Sequence, residues 1–264
     1  MAPQPRTYDF LSLTFLFLSG LVLLFIVAPL AGLVLDSSVE ELLNTARDEE
    51  VRRSIWLTVW TSMAATLVMA VAAIPFAYVL ARKSFPLKGL VSAIVELPIV
   101  IPHSAAGLAL LGILSAGAPI GNVAERLGVT FVGSPAGIMA AMAFVSIPYL
   151  ITSAREGFHA VPEHLETAAL NLGASPTRVF FTISLPLASR SIFSGLTLMW
   201  ARGMSEFGAV MFIAYQPMVT PVLIWERFGA FGLSYARPVA VLFLMICLIL
   251  FTLLRALAWR NPDA

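Results

Sequence analysis

Charge is what this sequence has least of. Charged residues make up 12% of its 264 positions and apolar ones 59%, where a soluble domain carries about 25% charge. Hydrocarbon offers no water to solvate an ion, and a central Asp, Lys or Arg costs about 2.5–3.5 kcal/mol there. The shortage therefore excludes an ordinary soluble domain and points to lipid as the surrounding solvent. The formal net charge of +1 leaves no basic face for nucleic acid. The single cysteine, Cys247, lies in an apolar run, so a disulfide framework and a thiolate metal site are both excluded. Of the three histidines, His159 and His164 are five apart and lack the spacing and partners of a metal site.

What the sequence does have is long uncharged runs. A spanning helix needs about 20 apolar residues, and six candidates fit: 11–35, 55–81, 90–116, 135–154, 191–215 and 238–258. The first is longer than the apolar core of a signal peptide and is expected to be retained. Pro98, Pro102 and Pro119 punctuate the third. Ser134-Pro135 reads as the cap and first turn of the fourth. The expected fold class is an all-α integral membrane protein of six transmembrane helices, in a single domain over 1–264.

The positive-inside bias orients these spans. With the N-terminus cytoplasmic, one side collects Arg6, Arg82, Lys83, Lys88, Arg155, Arg178, Arg190, Arg255 and Arg260. The other side holds Arg47, Arg52, Arg53, Arg126, Arg227 and Arg237, several beside Asp48, Glu49, Glu50 and Glu226. Both termini are expected inside, in a multi-pass protein of the cell (plasma) membrane. No segment repeats, and six helices are few to enclose a solute pathway, so a homodimer is the natural expectation.

One polar loop, 157–186, interrupts this pattern. Pro162 suits a helix start, and Glu163 and Glu166 follow in the first turns, where the helix dipole favours negative charge. Leu165, Ala169 and Leu172 share a face, with Ala168 beside them. Gly173 stops the helix as a left-handed residue, and Ser175-Pro176 restarts a second one. By helix physics alone this is either a docking surface with a small-residue centre or an amphipathic connector resting on headgroups.

Glu166-Thr167-Ala168-Ala169, three residues, Gly173, and Leu185-Pro186 twelve positions further on resemble the EAA loop of permeases of ATP-binding-cassette importers. Thr167 replaces that pattern's first alanine, small for small. The resemblance implies the type I, binding-protein-dependent permease fold and a coupling helix seated in a cleft of a nucleotide-binding subunit. Its coupling positions would be Leu165, Glu166, Ala168, Ala169 and Gly173. This chain has no Walker-type Gly-rich Lys motif. The resemblance therefore implies an ABC ATPase dimer as a separate partner holding ATP and Mg, with no cofactor in this chain.

Three stretches bear on the solute. Leu97 to Leu111, which contains Pro102-His103-Ser104, is similar to the third-span opening of oxyanion permeases for molybdate, tungstate and sulfate. Trp200 to Ala209 resembles their fifth-span segment, and Thr220 to Phe228 their outer loop before the last span. His103, where many bacterial members carry a second proline, looks most like archaeal-type molybdate/tungstate permeases. The implied cargo is molybdate or tungstate, with a sulfate/thiosulfate permease as the alternative. An extracytoplasmic oxyanion-binding protein is the implied partner outside. The likeness reaches from about Ile55 to Arg255; the first span and the acidic loop after it match nothing specific.

Four polar residues inside spans are candidates for the gate or pathway: His103, Ser104, Arg202 and Glu206. Arg202 and Glu206 are four apart and share a helix face, either as a packing ion pair or with Arg202 near the pathway. His103 is either a satisfied interhelical hydrogen-bonding group or a pathway-lining one. Glu96 reads as a snorkelling or capping group near the inner surface. An intramembrane enzyme is a remote alternative: Glu96, His103, Arg202 and Glu206 offer no nucleophile–base pair.

Overall fold

The computed structural model describes residues 9–259, so Arg6 and Arg260, counted above for the inner side, lie outside the described residues. Every regular element in it is helical. The long helices are α1 (Phe10–Leu35), α3 (Glu49–Arg82), α7 (Pro135–Ala160), α10 (Leu185–Met204) and α13 (Leu233–Trp259). Between them lie α2 (Val39–Arg47), α4 (Lys88–Val100), α5 (His103–Leu114), α6 (Pro119–Arg126), α8 (Glu163–Asn171), α9 (Pro176–Val179), α11 (Gly208–Ile213) and α12 (Thr220–Phe231). A π-helical turn, Phe180–Ser184, joins α9 to α10.

Five helices are long and apolar enough to cross a membrane, or six if the bent pair α4–α5 counts as one. That pair corrects the continuous helix expected over 90–116: its halves meet at 112°. Pro102 has no N–H to continue the ladder and pushes Ile101 into an extended conformation, ψ 144°. At 13 and 12 residues the halves are about 20 and 18 Å long, each short of the roughly 30 Å hydrocarbon core. The fifth helix also departs from 191–215. It runs back through the π-turn to Pro176 and stops at Met204. The Ser205 N–H still completes the ladder to Ala201, but the Glu206 N–H turns to the Gly203 carbonyl, three residues back, and the helix stops there. The Glu206 side chain serves α11 instead.

α7 is the centre of the bundle. Ser134 caps it by accepting the Gly137 N–H, with Pro135 in its first turn as expected. Ile138, Met142, Val145, Leu150 and Phe158 on it are fully buried between α3 and α10. α1 has no buried residue and touches the bundle through α13; apolar all round, it suits a lipid surround.

α3 is the long strut. Its 34 residues span about 51 Å, more than a bilayer core needs. Its buried face carries hydroxyls at one end, Ser54, Thr58, Thr61, Ser62 and Thr66, and Ala73, Ala77, Leu80 and Ala81 at the other. Thr58 Oγ1 accepts the Thr220 N–H at 2.8 Å, tying α3 to the start of α12. Arg82, 24 residues further along the same helix, meets the 161–184 loop. The strut thus connects the α2/α12 end of the molecule to the α8 end.

Candidate functional site

The loop expected to dock a partner has its own folded geometry. α8 ends in two nested hydrogen bonds, Gly173 N–H to Leu170 O at 2.9 Å and Ala174 N–H to Ala169 O at 3.0 Å. Gly173 sits at φ +87°, the left-handed conformation that closes such a C-cap and that glycine adopts without strain. Ser175 then accepts the Arg178 N–H, with Pro176 in the first turn of α9. Pro162 lies one place earlier than expected, at the N-cap.

The faces of α8 are the less expected finding. Its apolar side chains point away from the bundle: Leu165 is 38% exposed and Leu172 89%, with Ala168 exposed and Ala169 half-buried. Glu166 is the buried one. Its carboxylate accepts from Arg82 through Nε at 3.0 and 3.2 Å and Nη2 at 2.9 Å. It also accepts from Ser184 Oγ at 2.8 Å and Tyr78 Oη at 3.4 Å. Arg82 Nη2 donates in addition to Val161 O at 2.8 Å. So Leu165, Ala168 and Leu172 are presented outward, whereas Glu166 faces into the protein. Sequence reasoning missed Arg82, Tyr78 and Ser184 as its partners. Arg82 was legible only as a charge ending an apolar run, 84 positions from Glu166.

The second polar site joins α10, α11 and α5. Arg202 Nη2 lies 2.8 Å from Glu206 Oε2 and against the imidazole edge of His103, 2.8 Å from Nδ1. His103 Nδ1 is itself 3.1 Å from Glu206 Oε2. The other carboxylate oxygen accepts the Ala209 N–H at 2.8 Å. Glu206 is fully buried, while the Arg202 and His103 side chains are 19% and 37% exposed. Ser104 is exposed beside them. Three of the four candidates, His103, Arg202 and Glu206, therefore form one cluster.

Two glycines let that cluster form. A Cβ at Gly208 would sit 2.8 Å from His103 Cβ, and one at Gly107 would sit 2.9 Å from Ala209 O. α5 and α11 consequently touch backbone to backbone. Gly208→Ala is expected to destabilise the chain by about 1–3 kcal/mol through overpacking, read as a lowered unfolding temperature in detergent. Gly112, with nothing within 4 Å of its Cβ position, is the control that should tolerate alanine.

Residues 73–261 match the profile of the family described as "Binding-protein-dependent transport system inner membrane component". The chain belongs to this family. It is a multi-pass membrane protein and a transporter component. The matched region opens inside α3 and takes in both polar sites. The chain is 41% identical over 255 residues to the molybdate/tungstate transport system permease protein WtpB of Thermococcus kodakarensis, covering 96% of this chain and 98% of that one. It is 30% identical over 245 residues to the chain named "Probable sulfate transport system permease protein" of Nephroselmis olivacea, covering 90% and 85%. A bacterial ABC transporter involved in import of the acidic polysaccharide alginate superposes with a TM-score of 0.74 at 17% identity, over 95% of this chain and 96% of that one. The fold is thus that of a type I ABC importer permease.

Within this family fold the end opposite α8 is closed by charge. Arg227 of α12 donates to Asp48 at 2.6 Å and to Glu50 at 3.0 Å. Partial burial alone would raise the Asp48 carboxyl, but the hydrogen bond and charge from Arg227, with backbone donors at Glu50 and Val51, hold it below its ordinary 3.8. A carboxylate so lowered adds stability at all pH values above 3.8 and loses it only as pH falls through the lowered value. Glu96, expected to snorkel or cap, lies 3.6 Å from Arg155 of α7.

Proposed function

We propose that this chain is the membrane-spanning subunit of an ATP-driven importer of molybdate or tungstate. Two copies would work with a separate ABC ATPase dimer, which carries the ATP and Mg, and with an external oxyanion-binding protein that delivers the cargo. Both termini are cytoplasmic in this reading, which puts α8 on the ATPase side and the Arg227–Asp48 pair outside. The observation that carries the choice of cargo is the 41% identity, over nearly the whole chain, to a molybdate/tungstate permease, against 30% to a sulfate one.

The chemistry of the two sites supports the assignment. The outward face of α8 offers Leu165, Ala168 and Leu172 to a partner's cleft, with the turn at Gly173 beside them. Arg202 and His103 are partly exposed within otherwise apolar helices, and charge in hydrocarbon is expensive. They therefore belong against the second copy or a water-filled path, not lipid. Glu206 already neutralises Arg202, so a passing dianion would meet a screened cation plus the His103 and Ser104 groups. Such weak, transient contact is what conduction requires; a bare arginine would hold a dianion too long.

Proteoliposomes containing the permease, its ATPase and its binding protein test the reading directly. ATP-dependent uptake of tungstate or molybdate should exceed that of sulfate by at least tenfold at equal concentration. Equal or faster sulfate uptake would overturn the cargo assignment, and no ATP-dependent uptake of any of the three would overturn the function.

A further inference from the structure

We propose that Arg82 is a positioning residue for energy coupling: through Glu166 it locks the docking helix α8 to the strut α3. The proposal rests on the importer reading and asks how force leaves the docking surface. α8 spans nine residues, and Glu166 is its one buried residue. Its leucines at 165 and 170 face outward and do not anchor it. The polar attachment of α8 to the bundle therefore centres on one buried carboxylate, held by three groups from two elements: Arg82 and Tyr78 of α3, and Ser184 of the π-turn at the base of α10. The exposed Glu163 adds a longer contact to Arg82 at 3.9 Å.

Arginine is specifically suited to this place. Its planar fork reaches both carboxylate oxygens through Nε, and Nη2 donates both to one of them and to the carbonyl of Val161 just before α8. A lysine supplies a flexible point charge and lacks the rigid fork that fixes the carboxylate and the Val161 carbonyl in one geometry. Aromatic rings wall the pair in: Tyr78 stands edge-on to Phe158 of α7 and to Phe180 of the π-turn, at 5.2 and 5.0 Å between centroids. A push on the outer face of α8 thus reaches Arg82 through short charge-assisted contacts. From Arg82, α3 runs 24 residues, about 36 Å, to Thr58, which holds the first residue of α12. The motion delivered at one end of the strut is applied to the other end.

The test uses the complete complex of permease, ATPase and binding protein in proteoliposomes. Wild type, Arg82→Lys, Arg82→Ala and the neutral pair Arg82→Gln/Glu166→Gln are each scored for ATPase co-purification, ATP hydrolysis and oxyanion imported per ATP. All variants are expected to retain the ATPase, while import per ATP falls at least tenfold, including in Arg82→Lys. The neutral pair removes the buried charges together, so it should fold even where Arg82→Ala does not, yet remain uncoupled. Wild-type import per ATP in Arg82→Ala or in the neutral pair would overturn the proposal. So would misfolding of the neutral pair and Arg82→Ala together, which would make the contact a folding element only. Failure of the wild-type complex to assemble or import would instead overturn the importer reading.

Discussion

Alanine at Arg202 is expected to lower the stability of this protein by about 3–5 kcal/mol, because it strands a buried carboxylate. Glu206 is surrounded by protein alone: its side chain has no accessible surface, and its partners are Arg202, His103 and the Ala209 N–H. Glu206→Ala should be costly too, since it removes that acceptor at the start of α11 and leaves the Arg202 charge with only its contacts to His103 and Ser205 and no carboxylate. The double alanine variant removes both charges and is expected to be less damaging than either single change. Four unfolding curves in detergent decide this, and strict additivity would exclude a paired structural role. Transport then separates the two readings of Arg202. A double variant that is stable but imports nothing places the cluster on the pathway; one that imports normally makes it a packing device.

That cluster also marks where the sequence stops being readable. Arg202 and Glu206 are four apart, and their pairing follows from helix period alone. His103 joins them from 99 positions away, and no local pattern encodes such a contact. Gly107 and Gly208 permit it by lacking a side chain, and nothing local in the sequence marks them as neighbours of one another's helices. Local chemistry was read well where the backbone itself dictates the answer. Ser134 and Ser175 cap the helices they precede, and Gly173 takes the left-handed turn.

Proline was the ambiguous signal. Pro29, Pro75, Pro98, Pro148 and Pro238 all stay inside helices, whereas Pro102 breaks one by 112°. In a membrane bundle neighbouring groups can re-satisfy the carbonyl that a proline frees, so the outcome depends on packing that composition does not show. Glu166 taught a different lesson. Its place in the first turn of α8 suggested only a dipole interaction, and a family pattern suggested coupling. Neither indicated that the side chain turns inward to Arg82, because Arg82 ends the long helix α3 and Glu166 sits on the short helix α8, 84 positions away.

Glutamate at Gly173 is expected to abolish coupled import while leaving the fold almost intact. A Cβ at this position meets no heavy atom within 4 Å, so there is no steric barrier. The backbone at φ +87° costs a non-glycine residue roughly 1–2 kcal/mol, confined to the C-cap of a nine-residue helix. That is enough to loosen the α8–α9 turn and too little to unfold a bundle centred on α7. The charge matters more. It would project from the turn beside the exposed Leu172 and Ala168, where a docked ATPase would have to desolvate it without a partner. Asparagine tolerates the left-handed conformation and adds no charge, so Gly173→Asn should retain most import, and Gly173→Ala should fall between. Co-purification of the ATPase and import per ATP, measured on all three, separate backbone strain from charge. Full ATP-driven import by Gly173→Glu with normal subunit association would mean that this turn is not part of the docking surface. Loss in Gly173→Asn equal to that in Gly173→Glu would mean that glycine itself, and not the absence of charge, is what the partner needs.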